Sequence, residues 1–211
     1  MDSHDGSEQW ETLLMTSLRA DISRQTGAHL DRLLVSGISM GGVGSLRLAF
    51  RNPFVGVASL DPGVEPFLRL GDMPTWYATT VDGRIGAKFG DPLDEDFWTA
   101  NNPSNIAAND PDRLIASGLK IMLEVGTDDG LFDHHNAEFL HRVLFDHGVK
   151  YEYRTVLGAN HIGESMPGRL PGALAFLNTA LNPPSPDTAA NAFTTQVAAG
   201  MRAAGVEPPP L

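Results

Sequence analysis

A single serine stands among glycines in a pattern typical of a catalytic nucleophile. Ser39 lies within Gly37-Ile38-Ser39-Met40-Gly41-Gly42 (the serine elbow), which matches the G-x-S-x-G motif. An apolar run at 33–37 precedes it and a helical pattern at 40–51 follows, so the serine falls on a sharp turn between a strand and a helix. Such a turn exposes the hydroxyl, and the N-terminus of the helix adds positive charge where an oxyanion would develop. We interpret Ser39 as a nucleophile and the N–H of Met40 as an oxyanion donor; a glycine-rich packing turn is the alternative.

A serine nucleophile needs a general base, and the base needs a carboxylate to orient it. Two later turns offer them in the order serine, acid, histidine that accompanies this motif: an acidic turn at 126–130 (the acid turn) and then His161. Each turn follows a predicted strand, and the carboxyl ends of parallel strands lie at one edge of a sheet. We predict Asp129 as the acid, because this fold most often has its acid at the third position after the glycine. Asp128 is the alternative, and Asp61, which follows an earlier strand, is a weaker one.

Short apolar runs alternate with helical patterns along the chain, which predicts an α/β fold, a mostly parallel sheet with helices on both faces. The predicted strands are 33–37, 55–60, 120–125 and 151–157, and the predicted helices are 7–26, 40–51, 134–147 and 170–181. Four other histidines lie on or beside the third of these helices, where a solvated face is the simpler interpretation: His134, His135, His141 and His147.

Two segments depart from this alternation. Residues 64–112 form an irregular stretch rich in glycine, proline, aspartate and aromatic residues, which we expect to roof the site. Trp76 and Trp98 in this stretch are candidates to line a substrate pocket. A proline-rich linker at 182–186 leads to an amphipathic helical pattern at 187–205. We therefore predict a catalytic domain at 1–181 and a helical tail at 182–211.

The chain resembles a known family over residues 7 to about 181. Besides the serine elbow and the two later turns, the matching features are Trp10-Glu11-Thr12-Leu13-Leu14, Phe97-Trp98 and Asn102-Pro103. These resemble the second half of the esterase D family of α/β-hydrolases, which includes S-formylglutathione hydrolases, feruloyl esterases and mycolyltransferase-like proteins. The resemblance implies an α/β-hydrolase-type sheet and a serine esterase or acyl-transfer activity.

The chain departs from this family before the serine elbow. The family has several strands there, including a loop that supplies a second oxyanion-hole N–H. Only about 30 residues precede Leu33, and none of them reads as a strand, so we expect an N-terminally shortened sheet with no visible second donor. Loss of one donor costs about 10²–10³-fold in turnover. The nucleophile strand would then have an open edge, and soluble proteins cover or pair such edges. We expect a homodimer to cover it; the alternative is that the first helix and the tail at 187–205 fold over it within one chain.

The composition excludes several classes of function. With 26 acidic and 15 basic residues, the net charge is -11, and such a chain repels nucleic acid. Cysteine is absent, which excludes disulfides, zinc–thiolate sites and a thiol nucleophile. No apolar run approaches the ~18 residues of a membrane span, and the N-terminus lacks a signal-peptide pattern. We expect a cytoplasmic protein that binds neither membranes nor nucleic acid and whose partner is a small-molecule ester.

Together these features predict a serine carboxylester hydrolase that acts through an acyl-enzyme and needs no metal or organic cofactor. The basic residues of 64–112 are scattered among acids, so we expect neutral esters with short or aromatic acyl groups; these residues are Arg69, Arg84 and Lys88. Two alternatives remain open. One is an acyltransferase of the same family, and the other is a non-catalytic remnant or binding module that lacks a complete oxyanion hole.

Overall fold

Four parallel strands form the centre of the fold in the computed structural model, which describes residues 1–79 and 86–209. They are β1 (Leu34–Ile38), β2 (Gly56–Leu60), β3 (Lys120–Gly126) and β4 (Glu152–Val156), and they adjoin one another in chain order. In the register, Ile38 pairs with Leu60, and Gly126 pairs with Val156, so the carboxyl ends of the strands lie along one edge. The predicted mostly parallel α/β sheet is confirmed. Arg84 lies outside the described residues.

Helices connect and cover the strands. They are α1 (Trp10–Leu13), α2 (Arg19–Thr26), α3 (Met40–Arg51), α4 (Thr75–Ala78), α5 (Gly86–Phe89), α6 (Glu95–Asn101), α7 (Pro103–Asn109), α8 (Pro111–Ser117), α9 (Asp133–Asp146), α10 (Met166–Leu181) and α11 (Thr188–Ala203). A π-helical turn, Leu14–Leu18, joins α1 to α2, so the helix predicted at 7–26 is continuous from Trp10 to Thr26.

The core lies on both faces of the sheet, because successive side chains of a strand point to opposite faces. On one face, Val57, Ile121 and Leu123 pack with Leu46 and Phe50 of α3 and with Leu140 and Leu144 of α9. On the other face, Ala58, Leu60 and Met122 pack with Ala173 and Leu177 of α10. These two layers fix the positions of the turns at the carboxyl edge.

The prediction of an irregular stretch at 64–112 was wrong for α4 to α7 and the start of α8. Capping residues start the last three of these short helices. The side chains of Asp94, Asn102 and Asp110 accept the backbone N–H of Phe97, Ser104 and Arg113, respectively. Proline follows two of these caps at the first helical position, where its missing N–H costs nothing. An aromatic cluster packs these segments together, formed by Phe67, by Tyr77 of α4, by Phe89 of α5 and by Trp98 of α6.

The N-terminal helix from Trp10 to Thr26 is only partly covered. Glu11 anchors it, because this buried carboxylate accepts a hydrogen bond from the side-chain amide of Asn52 at 2.9 Å. Five of its apolar side chains are 40–57% exposed, namely Trp10, Leu13, Leu14, Leu18 and Ile22. A groove of about 240 Å³ runs between this helix and the start of β1, and Leu18, Ile22 and Leu33 line part of it.

The chain divides into two compact units, Met1–Leu181 and Asn182–Leu211. In the second unit, α11 begins after Asp187, whose side chain accepts the N–H of Ala190 at 2.9 Å. Phe193 of this helix is 69% exposed. In the described part of the chain, no helix is both long and apolar enough to cross a membrane.

Candidate active site

Ser39 sits on a strained turn between β1 and α3. Its φ of 58° lies in the left-handed region, and its N–H donates to the carbonyl of Leu60 at 2.9 Å. Neighbouring glycines allow separate stretches of backbone to approach each other closely. A Cβ on Gly37 would lie 2.1 Å from the carbonyl oxygen of Gly41, and one on Gly42 would lie 2.8 Å from that of Leu60. The turn therefore requires glycine at both positions.

The structure brings Ser39, His161 and Asp129 together. The Oγ of Ser39 lies 2.8 Å from Nε2 of His161, and Nδ1 of His161 lies 2.9 Å from Oδ2 of Asp129. Because an ionised carboxylate can only accept, Nδ1 carries the imidazole proton and Nε2 accepts the serine hydroxyl. The aspartate is 3% exposed and the histidine 8%, so water screens this pair little. Such an arrangement can move a proton from the hydroxyl to the imidazole.

The two aspartates of the acid turn occupy different environments. Asp129 is buried, and its second carboxylate oxygen accepts the N–H of Leu131 at 2.8 Å. Asp128 is exposed and accepts a hydrogen bond from the hydroxyl of Thr127 at 3.0 Å. Only the first of them reaches His161.

The acid turn and the loop at 158–163 (the histidine loop) are bonded to each other. The N–H of Asp128 donates to the carbonyl of Ala159 at 3.0 Å. The side-chain oxygen of Asn160 accepts two N–H groups, that of Gly130 at 3.0 Å and that of His161 at 2.7 Å. Asn160 thus positions both turns, a role that no sequence motif indicated.

Asp61 is part of a buried ionic cluster rather than a partner of the imidazole. Its carboxylate pairs with the guanidinium of Arg169 at 2.9 Å and accepts the N–H of Gly126 at 2.9 Å. The same guanidinium donates to Glu124 at 2.7 Å. Burial has the largest single effect and lowers the pKa of Arg169, but hydrogen bonds and charge attraction to Asp61 and Glu124 together raise the pKa above its usual value. The cluster joins the ends of β2 and β3 to α10.

A second carboxylate approaches His161, and the sequence analysis missed it. Oδ2 of Asp133 lies 3.3 Å from Nδ1, and this residue is 1% exposed. Asp133 is the first residue of α9, four positions after Asp129. The spacing belongs to no motif, so only the path of the chain from the acid turn into the helix reveals the contact.

The oxyanion donor and the candidate pocket residues differ in how they are placed. Met40 is the first residue of α3, so its N–H has no acceptor within the helix. Trp76 is 37% exposed, and its ring centroid lies 6.1 Å from that of Phe132 and 5.2 Å from that of His135, beside the acid turn. Trp98 is fully buried and stacks on a phenylalanine of the aromatic cluster at 5.4 Å, so it offers no surface to a substrate.

Three buried groups, Asp61, Asp129 and His161, each offer a ligand atom within 4.8 Å of the others. Their contacts favour proton transfer over metal binding, because the imidazole nitrogens face Ser39 and Asp129 and the Asp61 carboxylate faces Arg169. Nearby, burial and then the adjacent His135 lower the pKa of His134. Both effects disfavour a positive charge on His134 beside the acid turn.

Comparison with known proteins identifies the family of the chain and solved structures with a similar fold. A family model described as "Putative esterase" matches residues 1–164. No curated protein matches the chain significantly.

Among solved structures, MPT51 (FbpC1) of Mycobacterium tuberculosis is similar, with a TM-score of 0.64 at 15% identity over 83% of this chain and 70% of that one. A ferulic acid esterase gives 0.60 at 20% identity, over 82% and 62%. The fluorophosphonate-binding serine hydrolase FphF of Staphylococcus aureus gives 0.53 at 16% identity, over 83% and 64%. The chain thus spans between 62% and 70% of the length of these three structures. At such identities the similarity shows the fold, and it confirms the α/β-hydrolase-type sheet that the sequence resemblance implied.

Proposed function

Because the chain belongs to the Esterase family, we propose that it is a serine carboxylester hydrolase. The observation that carries this proposal is the hydrogen-bonded path from the hydroxyl of Ser39 through His161 to the carboxylate of Asp129. A nucleophile, a base and an orienting acid in this order are the parts that acyl transfer to serine requires.

In the proposed acylation, Oγ of Ser39 attacks the ester carbonyl carbon while its proton passes to Nε2 of His161. Asp129 stabilises the imidazolium, and the carbonyl oxygen, now negative, accepts the N–H of Met40 at the start of α3. The bond between the carbonyl carbon and the alkoxy oxygen then breaks. His161 returns the proton to the leaving oxygen, so the alcohol departs and the acyl group stays on the serine.

Deacylation repeats these steps with water. His161 takes a proton from a water molecule as its oxygen attacks the acyl carbon, and the bond to Oγ breaks. The proton passes to Oγ, which restores the serine hydroxyl and releases a carboxylic acid. Every proton in this cycle moves through Nε2.

We propose neutral esters with short or aromatic acyl groups as substrates. The net charge of -11 disfavours the approach of anions, and Arg69 is already paired with Asp72 at 3.0 Å. Trp76, which contacts Phe132 just after the acid turn, supplies an exposed aromatic surface for a flat acyl group.

Covalent labelling tests the nucleophile. A fluorophosphonate should add once to the wild-type chain and not at all to Ser39→Ala, as read by intact mass. Hydrolysis of p-nitrophenyl acetate should fall by at least about 10³-fold in that variant. Ser36→Ala is the matched control, since Ser36 lies on the same strand and its hydroxyl donates to the carbonyl of Ala58 at 2.9 Å rather than to His161. Turnover of Ser39→Ala within tenfold of the parent would refute the assignment, and labelling without turnover would identify a non-catalytic relative.

A further inference from the structure

Two carboxylates face the same nitrogen of His161. Oδ2 of Asp129 lies 2.9 Å from Nδ1, and Oδ2 of Asp133 lies 3.3 Å from it. Both aspartates are at least 97% buried. Two buried negative groups repel each other, so their shared approach to one imidazole requires that the surrounding structure hold each in place.

The anchoring of the two carboxylates follows the same scheme. In Asp129, Oδ1 accepts the N–H of Leu131 at 2.8 Å, and Oδ2 is directed at the imidazole. In Asp133, Oδ1 accepts the side-chain amide of Asn136 at 2.8 Å, and Oδ2 is directed at the imidazole. The first residue of a helix is also where the helix dipole stabilises negative charge. Each aspartate thus has one oxygen fixed and the other directed at His161.

We propose that Asp133 is a positioning residue for His161 and shares its Nδ1 proton with Asp129. The catalytic consequence rests on the proposed esterase function. When Nε2 takes the proton of Ser39, Nδ1 keeps its own, and the two carboxyl groups together stabilise the imidazolium. Either aspartate alone can then hold the ring in the tautomer that accepts the serine proton.

A purely structural role for Asp133 predicts a different outcome. If Asp133 served only to start α9, its loss would weaken folding. The fold-losses in kcat/KM caused by changing Asp133 and by changing Asp129 would then be independent, and the loss in the double variant would equal their product. If the two carboxylates substitute for each other, the double variant must lose more than the product of the two single losses.

A double-mutant cycle measures this difference. In kcat/KM for p-nitrophenyl acetate, Asp129→Asn should lose about 10²-fold, less than the about 10⁴-fold of a triad that loses its sole carboxylate. Asp133→Asn should lose about 3–10-fold, and the double variant at least about 10⁴-fold. Asp128→Asn removes the same charge from the exposed side of the turn and is the matched control. A double-variant loss no larger than the product of the single losses would overturn the proposal.

A spectroscopic measurement separates this proposal from the esterase assignment. The downfield proton resonance of His161 Nδ1–H, seen by NMR, should persist in Asp129→Asn because Asp133 still accepts that proton, and it should vanish in the double variant. Disappearance in Asp129→Asn alone would show that Asp133 does not hold the imidazole. This measurement does not depend on turnover, and the comparison of wild type with Asp129→Asn leaves Asp133 unchanged. If the wild-type protein failed to hydrolyse esters, the proposed function would be refuted. The resonance would still decide whether Asp133 positions His161.

Discussion

At the scale of single residues, Asp128 and Asp129 are adjacent in the chain but lie in different environments. Of these two aspartates, Asp129 is the one buried against His161, so removing its charge should lower kcat/KM by at least about 10²-fold, whereas Asp128→Asn should lower it by less than about threefold. Steady-state hydrolysis of p-nitrophenyl acetate by the two variants compares them directly. The reverse ranking would transfer the acid role to Asp128.

Substitution of Trp76 tests whether this side chain binds the acyl group of the substrate. A ring stacking on a substrate contributes about 0.5–1.5 kcal/mol, which corresponds to about 2–10-fold in kcat/KM. Trp76→Ala should therefore lower hydrolysis of p-nitrophenyl benzoate by that factor relative to p-nitrophenyl acetate. Phe145→Ala, which removes a 64% exposed aromatic from the far end of α9, should change the two substrates equally. If Trp76→Ala lowered hydrolysis of both substrates equally, the acyl group would not bind against Trp76.

Some site residues could be located from the sequence because local chain geometry fixes them. The glycine spacing around Ser39 indicates close backbone approaches, and His161 lies in the loop that follows a predicted strand. Other contacts depend on where a distant helix lies. Arg169 reaches Asp61 only because α10 packs across β2, and Asp133 reaches the imidazole only because α9 starts beside it. No local pattern encodes such contacts.

At the scale of elements, two glycines of α3 have opposite roles. A Cβ at Gly42 would lie 2.8 Å from the carbonyl of Leu60, whereas one at Gly44 would meet nothing within 4 Å. Gly42→Ala should thus reduce the free energy of unfolding by about 1–3 kcal/mol and displace Ser39. Gly44→Ala should raise it by up to about 1 kcal/mol, because alanine favours the helix. Urea unfolding with kcat/KM on the same samples checks both, and equal effects would contradict the tight contact between the elbow and β2.

The sequence predicted helices and strands correctly where the hydrophobic pattern is strong. It missed short helices whose start is set by a capping residue. The strands β1, β2 and β3 are short, mostly apolar runs, and α3, α9 and α10 carry periodic apolar patterns. The structure has all four strands and these three helices within a few residues of the predicted bounds. The short helices after residue 94 have little periodicity of their own. Asp94, Asn102 and Asp110 start them, and burial of the aromatic cluster holds them in place.

At the scale of the whole molecule, β1 has one unpaired edge in the part of the chain that the structure describes. The carbonyl of Leu33 and the N–H of Ser39 bond to the β2 side, and backbone groups alternate along a strand. The N–H and C=O groups of Leu34, Ser36 and Ile38 therefore point away from the sheet. These three residues are symmetric about Ser36, so an antiparallel second copy would pair Ser36 with Ser36 and Leu34 with Ile38.

This symmetry supports the predicted homodimer. Sedimentation equilibrium at micromolar concentration should give about twice 22.7 kDa. Ser36→Pro, which removes the central outward N–H, should shift the protein to monomer, whereas Ser36→Ala keeps that N–H and should stay dimeric. A well-behaved, active 22.7 kDa wild-type monomer would refute the dimer.

The bonds between the acid turn and the histidine loop hold the acid and the base of the candidate site together. Asp129 and His161 are carried by backbones that are bonded to each other, and a Cβ on Gly126 would lie 2.2 Å from the carbonyl of Ala159. Ser39 is bonded to the end of β2, and Asp61, the next residue after that end, accepts the N–H of Gly126, so the acid turn is connected to the same strand end. Amide hydrogen exchange should therefore show the acid turn and the histidine loop opening as one cooperative unit. A perturbation of either turn would then displace the acid and the base together, and the candidate site would lose both in a single step.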